Sequence, residues 1–262
     1  MENKRLRKSK TVKSEDMSIL AERATVKIGE EIRKQQIEVL KIPQAFEKEC
    51  TNINRSGYEA MRISHNMQEY FAAIAGRDEN NGKNTEICSV IDFLHEKALP
   101  FAEQIGIRLI CKLPKENIFV NIDSEKFSYA IFNIMLNSME NTHFKGRIKI
   151  TVSKSSRFVK IAVADNGKGM EENIFSHCTE PLFTGDVAGK KLGLGLTLSE
   201  HYVKTCGGRM KIRSEEGKGT TVSVFLSLAE NGETAVSDNL KEVFHDKIFI
   251  PAYVTFSGLL EE

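Results

Sequence analysis

No apolar run in this sequence approaches the ~18–20 residues needed to cross a bilayer, and no signal-peptide core is present. The five cysteines, Cys50, Cys88, Cys111, Cys178 and Cys206, are scattered without a Cys-x-x-Cys pair. That is the usage expected of reduced, buried thiols, and the expected location is the cytoplasm. The formal net charge is only +1, which predicts no nucleic-acid habit. Charge of one sign is concentrated only at the start, where Lys4, Arg5, Arg7, Lys8, Lys10 and Lys13 crowd together. Residues 1–24 therefore read as a basic, flexible, solvated tail, with contact to acidic lipid or nucleic acid as the sharper alternative. What remains is an ordinary globular composition, 40% hydrophobic and 28% charged over 262 residues, with room for one large or two modest domains.

Two stretches show helical periodicity. Ile28, Ile32, Val39, Ile42 and Phe46 follow alternating steps of four and three, with Gln35 in the one polar slot, and Ile53, Ala60, Met67, Phe71 and Ile74 keep the same seam. Turn-forming residues at 51–57 separate them. The reading is a helical hairpin over residues 25–77, unstable alone, whose apolar faces are buried when two chains pair as a four-helix bundle. The polar stretch Gly76–Asn84 breaks the pattern and marks a domain boundary.

Residues 85–228 alternate helical and strand patterns. Helices are expected at Glu86–Ile105, from Asp123 or Ser124 to about Thr142, and at about Leu194–Cys206. Strands are expected at Arg108–Leu113, Ile118–Ile122, Arg147–Ser153, Phe158–Ala164, Arg209–Ser214 and Thr220–Leu228. The expected class is α+β: the hairpin, then an α/β sandwich with one mixed sheet and helices on one face. Residues 229–262, acidic at first and apolar at Ile248–Leu260, have no assigned role.

Four motifs stand in order within 123–228. They are Phe132-Asn-Ile-Met-Leu-Asn-Ser-Met-Glu140, Asp165-Asn-Gly-Lys-Gly169, Lys191-Leu-Gly-Leu-Gly-Leu196 and Gly217-Lys-Gly-Thr-Thr221. A lone Asp-x-Gly-x-Gly is usually only a turn; four motifs in this order describe a pocket. Asn133 and Asn137, four apart, share one helix face. Asp165 at a strand end can accept the amino hydrogen of adenine, while Gly167 and Gly169 allow close backbone approach. Gly193 and Gly195 open a helix whose N–H groups and dipole, with those of Leu194 and Leu196, can meet phosphate oxygens. Thr220 and Thr221 can hold a water against the base.

Together the motifs resemble the Bergerat-type ATP-binding domain shared by sensor histidine kinases, gyrase B, heat-shock protein 90 and MutL. The resemblance implies ATP and Mg²⁺ as ligands, with Asn137 holding the metal through a neutral oxygen. It implies a lid from His177 to Lys191, with Glu180-Pro-Leu-Phe-Thr184 similar to the family's phenylalanine box and Phe183 packing it down. The hydrolytic branches carry glutamate at the place of Asn133, so this chain makes the kinase-like choice. The family's Gly-x-Gly-x-Gly is altered here, with Lys191 at the first glycine; Lys190 and Lys191 either reach phosphate or remain solvated. Glu140 matches neither functional spacing.

A histidine kinase of this kind needs an acceptor histidine on the first helix of its hairpin, and no histidine is there. Either register of the family's acceptor box places glutamate at the position, Glu30 or Glu38. His65, in Ser64-His-Asn-Met67 on the second helix, is the remaining acceptor in the hairpin, beside the bland reading of an exposed helix residue. The leading expectation is a cytoplasmic, homodimeric ATP:protein histidine phosphotransferase of a two-component pathway, serving a response regulator or partner kinase and accepting phosphate on His65 or on another protein. The alternative is a non-catalytic ATP-binding dimer that sequesters such a partner. A conformational ATPase is disfavoured by Asn133.

Overall fold

The computed structural model describes residues 63, 64, 66–76, 81–184 and 192–229. Two units, residues 1–79 and 80–262, are considered separately. In the first, residues 66–74 are helical. The hairpin residues 25–62, His65, the tail 1–24 and the segment 230–262 lie outside the described residues.

The second unit begins with strand β1 (Lys83–Glu86), followed by helix α1 (Ile87–Gln104), β2 (Arg108–Lys112), β3 (Phe119–Ile122) and helix α2 (Ser124–Asn141). Then come β4 (Arg147–Lys154), β5 (Phe158–Asp165), a short helix α3 (Glu172–His177), helix α4 (Gly195–Thr205), β6 (Arg209–Glu215) and β7 (Gly219–Ser227). Two elements were not expected. β1 begins in the stretch read as linker and runs on to Glu86, which was read as the first residue of the helix; it pairs antiparallel with β3 as a separate two-stranded sheet. The short α3 has no amphipathic repeat long enough to announce it.

Local chemistry starts the helices where expected. Asp123 Oδ1 accepts from the N–H groups of Glu125 (3.1 Å) and Lys126 (3.2 Å), a cap on α2 worth about 1 kcal/mol. Glu86 caps α1, accepting from the Cys88 and Ser89 N–H groups and from Ser89 Oγ at 2.6 Å, and it also takes the Ile118 N–H at 3.1 Å. One carboxylate thus ties α1 to the chain entering β3.

The main sheet has the order β2-β4-β5-β7-β6; β2 and β4 are parallel and the other pairs antiparallel. Ile148 and Ile150 on β4, Val159, Ile161 and Val163 on β5, and Val222, Val224 and Leu226 on β7 form its inner face, all buried. Helix residues Leu94, Ile131, Ile134, Leu198 and Tyr202 complete that core. Alternation along the strands leaves the opposite face polar. This is the expected α/β sandwich with helices on one face of a mixed sheet, except that β3 leaves that sheet to pair with β1, giving two sheets where one was expected.

Candidate functional site

The site forms where α2 ends, β5 ends and β7 begins. Asp165 is the last residue of β5 and is half-buried. Its Oδ1 accepts the N–H groups of Gly167 and Thr220, each at 3.0 Å. The second oxygen, Oδ2, accepts no hydrogen bond among the described residues. A carboxylate held this way has one oxygen spent on positioning and one left for a ligand.

The glycines bring three motifs into contact. At Gly167 an added Cβ would collide with the Asn141 carbonyl, its carbon lying at 2.7 Å. Lys168 N–H donates to that same Asn141 oxygen at 2.9 Å, so the loop after Asp165 rests on the end of α2. Gly169, in the left-handed region at φ 68°, lies against the Glu215 carbonyl, and Gly217 N–H donates to Lys168 O at 2.7 Å. Gly219, at φ 105°, presses on the Asp165 carbonyl. Side chains at Gly167, Gly169 and Gly219 would push apart the backbones that shape the carboxylate's surroundings.

Asn133 is buried, and its Nδ2 has no hydrogen-bond partner among the described residues. A buried amide left unpaired costs about 1–3 kcal/mol, a debt that a ligand acceptor would cancel. Asn137 is half-buried one turn further along; its side-chain amide is the nearest group to Gly195, at 3.8 Å from where a Cβ would stand. The third glycine-rich motif therefore meets the asparagine face. α4 starts there with no side-chain cap, and Leu194 is its N-cap residue. The Leu194 side chain is core, so only its backbone can serve a ligand. Half-buried Gly193 and Leu196 flank the opening turn. Uncapped N–H groups at a helix start suit phosphate oxygens. Ser199 Oγ donates to Ala130 O at 3.2 Å and so fixes α4 on α2.

The segment before α4 is anchored at its described end. Gly193, at φ 68°, is held against the Phe183 backbone. The Phe183 ring packs on the His177 ring, centroids 5.4 Å apart, and His177 Nδ1 lies 2.9 Å from Glu180 Oε1. Thr197 Oγ1 donates to Thr179 O at 3.0 Å. Lys191 and Lys190 lie outside the described residues.

The two threonines divide. Thr220 faces inward beside Asp165, with its Oγ1 2.8 Å from Ser214 Oγ. Thr221 pairs with Ala164 and Arg213, which puts it on the outer face of the sheet, away from the others. Asn141 was missed by sequence reasoning: it continues the four-residue step of Asn133 and Asn137, and its Nδ2 donates to Asn137 O at 2.7 Å. Among the described residues the cysteines are free thiols, Cys88 buried and Cys111, Cys178 and Cys206 half-buried. Burial, with the Glu86 charge and hydrogen bond, pushes Cys88 up to about 12; burial and the Asp92 charge push Cys111 to about 11. No described cluster of His, Cys, Asp or Glu could hold a metal ion.

Residues 122–230 match the Histidine kinase-, DNA gyrase B-, and HSP90-like ATPase family. Sensor histidine kinase ZraS of Escherichia coli (strain K12) is 33% identical over 189 residues, covering 72% of this chain and 38% of the relative. Sporulation kinase B of Bacillus subtilis (strain 168) is 33% identical over 105 residues, covering 40% of this chain and 24% of the relative. Thus the chain spans well under half the length of these relatives. The solved structure of full-length ShkA in complex with AMPPNP shares the fold with a TM-score of 0.66 at 18% identity, covering 80% of this chain and 47% of that one. With the fold, the four motifs and these relatives in agreement, the chain belongs to the histidine kinase family and carries its GHKL-type ATP-binding domain.

Proposed function

We propose that this chain binds ATP with Mg²⁺ at the site just described and transfers the γ-phosphoryl group to a protein histidine in a two-component pathway. The observation that carries the reading is Asp165, whose Oδ1 is pinned by two N–H groups while Oδ2 stays open. An acceptor fixed at that point suits the amino group of adenine and rejects a carbonyl in its place. The uncapped start of α4, from Gly193 to Leu196, would receive phosphate oxygens, and the unpaired Asn133 Nδ2 would donate to the same ligand. Asn137 supplies the side-chain oxygen for Mg²⁺, which neutralises phosphate charge when bound. Gly167 and Gly169 keep the base end open, Thr220 closes it, and Phe183 anchors the covering segment.

Asn133 also decides what the site does not favour. An amide cannot take a proton from water, so bound ATP keeps its γ-phosphate for an imidazole nitrogen. As that nitrogen bonds to phosphorus, the bond from phosphorus to the ADP oxygen breaks and ADP leaves. The acceptor is His65 or a histidine of another protein, and dimerisation through residues 25–77 in the cytoplasm would present it to a response regulator or partner kinase. An ATP-binding regulator without transfer is the reading that Glu30 and Glu38 favour, since both stand where an acceptor is expected.

Incubation with γ-labelled ATP, alone and with candidate partners, tests this in the parent, His65→Gln and Asp165→Ala. Acid-labile label lost in His65→Gln assigns the acceptor; label that survives it excludes His65. Binding with no label on any protein selects the regulator. Asp165→Ala removes a charge-assisted hydrogen bond worth roughly 1.5–3 kcal/mol, so calorimetry should show ATP affinity at least tenfold lower. Unchanged affinity would reject the pocket.

A further inference from the structure

The outer face of the five-stranded sheet carries a charge pattern unrelated to the nucleotide site. β6 places Arg209, Lys211 and Arg213 opposite Phe225, Ser223 and Thr221 of β7. Lys160 of β5 joins them beside Phe225. Toward the other edge, Arg147 and Lys149 of β4 and Arg108 and Lys112 of β2 point the same way. The face thus holds eight cations against one carboxylate, Glu215, which is itself paired with Lys218. All eight except Lys160 are exposed, and none forms an ion pair among the described residues. The whole chain has a net charge of only +1, so this face is far more basic than the chain as a whole.

The layout selects the partner. The cations come from four of the five strands and reach from one edge of the sheet to the other, roughly 19 Å at the usual ~4.8 Å spacing, and do not converge on a pocket. A single extended strand, whether acidic peptide or nucleic acid, would cover only part of that width. The two rings on the face are not open platforms for bases: Phe158 and Phe225 pack edge to face at 5.6 Å, and Arg209 lies over Phe225 at 4.9 Å. Between the cation rows stand the small uncharged residues Ala162, Ala164 and Ser223. A broad, laterally continuous array of negative charge fits such a face. Asp165 and Thr220 share the inward side with Val163 and Val222, so occupying the outer face leaves the nucleotide site free.

We propose that the outer sheet face docks the ATP-binding domain on an anionic phospholipid surface, by charge and without insertion of apolar side chains. The contact would hold the domain against a membrane while α2 and α4 face away from it. Attraction of this kind weakens steeply with salt.

Co-sedimentation of the full chain with phosphatidylcholine vesicles, with and without phosphatidylserine, tests the proposal. The variant K149Q/K211Q/R213Q removes three exposed cations outside the nucleotide site, and ATP affinity equal to the parent's reports that it is folded. Each surface cation contributes about fivefold, so partition onto phosphatidylserine vesicles should fall about 100-fold. Binding should also decline as salt rises. The proposal is overturned if the variant binds like the parent, which would place the attraction elsewhere, as on residues 4–13. Equal binding to pure phosphatidylcholine overturns it too. So does a single-stranded oligonucleotide that needs these three cations while the vesicles are not bound at all.

Discussion

Replacing Gly167 by alanine adds one methyl group where the asparagine helix meets the aspartate loop. Gly167 is not in the left-handed region, so its substitution carries contact cost without backbone strain. The added Cβ collides with the Asn141 carbonyl oxygen, stands 2.7 Å from the carbonyl carbon and lies 3.0 Å from Asp165 Oδ1. Carbon contacts are comfortable at ~3.5–4.0 Å, so the loop must withdraw by roughly 1 Å. Overpacking of that size costs about 1–3 kcal/mol. Withdrawal also stretches the Gly167 N–H to Asp165 bond and the Lys168 N–H to Asn141 bond, now 3.0 and 2.9 Å. Those bonds aim the carboxylate, so ATP affinity should fall about tenfold or more. Gly217→Ala is the matched control. It sits at φ 73° with nothing within 4 Å, so it incurs only the left-handed strain of ~1–2 kcal/mol and meets no backbone. It should lower the unfolding midpoint and leave ATP affinity unchanged. Calorimetry and thermal unfolding on the same preparations separate the two effects. Parental ATP affinity in Gly167→Ala would refute the coupling between helix and loop.

Asn137→Ala should abolish the enhancement of ATP binding by Mg²⁺ and retain nucleoside affinity; equal enhancement in both proteins removes the metal role. Aspartate at both Ile32 and Phe71 would bury unpaired charge in the proposed bundle, so light scattering should report monomer; a monomeric parent ends the dimer proposal. Burial alone would raise the Glu86 carboxyl, but hydrogen bonds from the Ser89 hydroxyl and the N–H groups of Ile118, Ser89 and Cys88 hold it below its ordinary value of 4.5. Its stabilisation is therefore present above that value and lost as pH falls through the lowered one. Glu86→Gln should lower stability at neutral pH and flatten the acid decline in urea titrations, whereas parallel pH profiles for the two proteins would count against it.

The elements of the ATP-binding domain were legible where one local signal sufficed. Asp123 announces α2 because a cap needs only the N–H groups two and three residues on. β4 and β5 alternate because one face is buried, and their turn sits where the alternation stops. β1 has no such signal. Lys83-Asn-Thr-Glu86 is polar and becomes a strand only by pairing with β3, more than thirty residues later in the chain. In the site, Asp165 and its glycines were legible because their backbone demands are specific. Asn141 was missed although it is the third step of the asparagine stripe; its acting group toward the loop is a carbonyl, and no side-chain pattern reveals that. The paired Thr220 and Thr221 must lie on opposite faces of a strand. Which of them faces Asp165 depends on the register of β7 against β5, a long-range fact.

The outer face shows the same limit for charge. Its cations come from four strands spread between Arg108 and Arg213, and within each strand their even spacing looks like ordinary solvated alternation where more than one is present. Only register puts Arg209 beside Lys160 across one ring, or Arg108 beside Arg147 across a parallel pair. Net charge sums over the molecule, whereas attraction to a surface depends on what one face presents within a Debye length of about 8 Å. A balance of +1 is therefore compatible with a strongly basic face, provided the acids are placed elsewhere. The expectation drawn from net charge alone concerns the average field, and the folded sheet replaces that average with a direction.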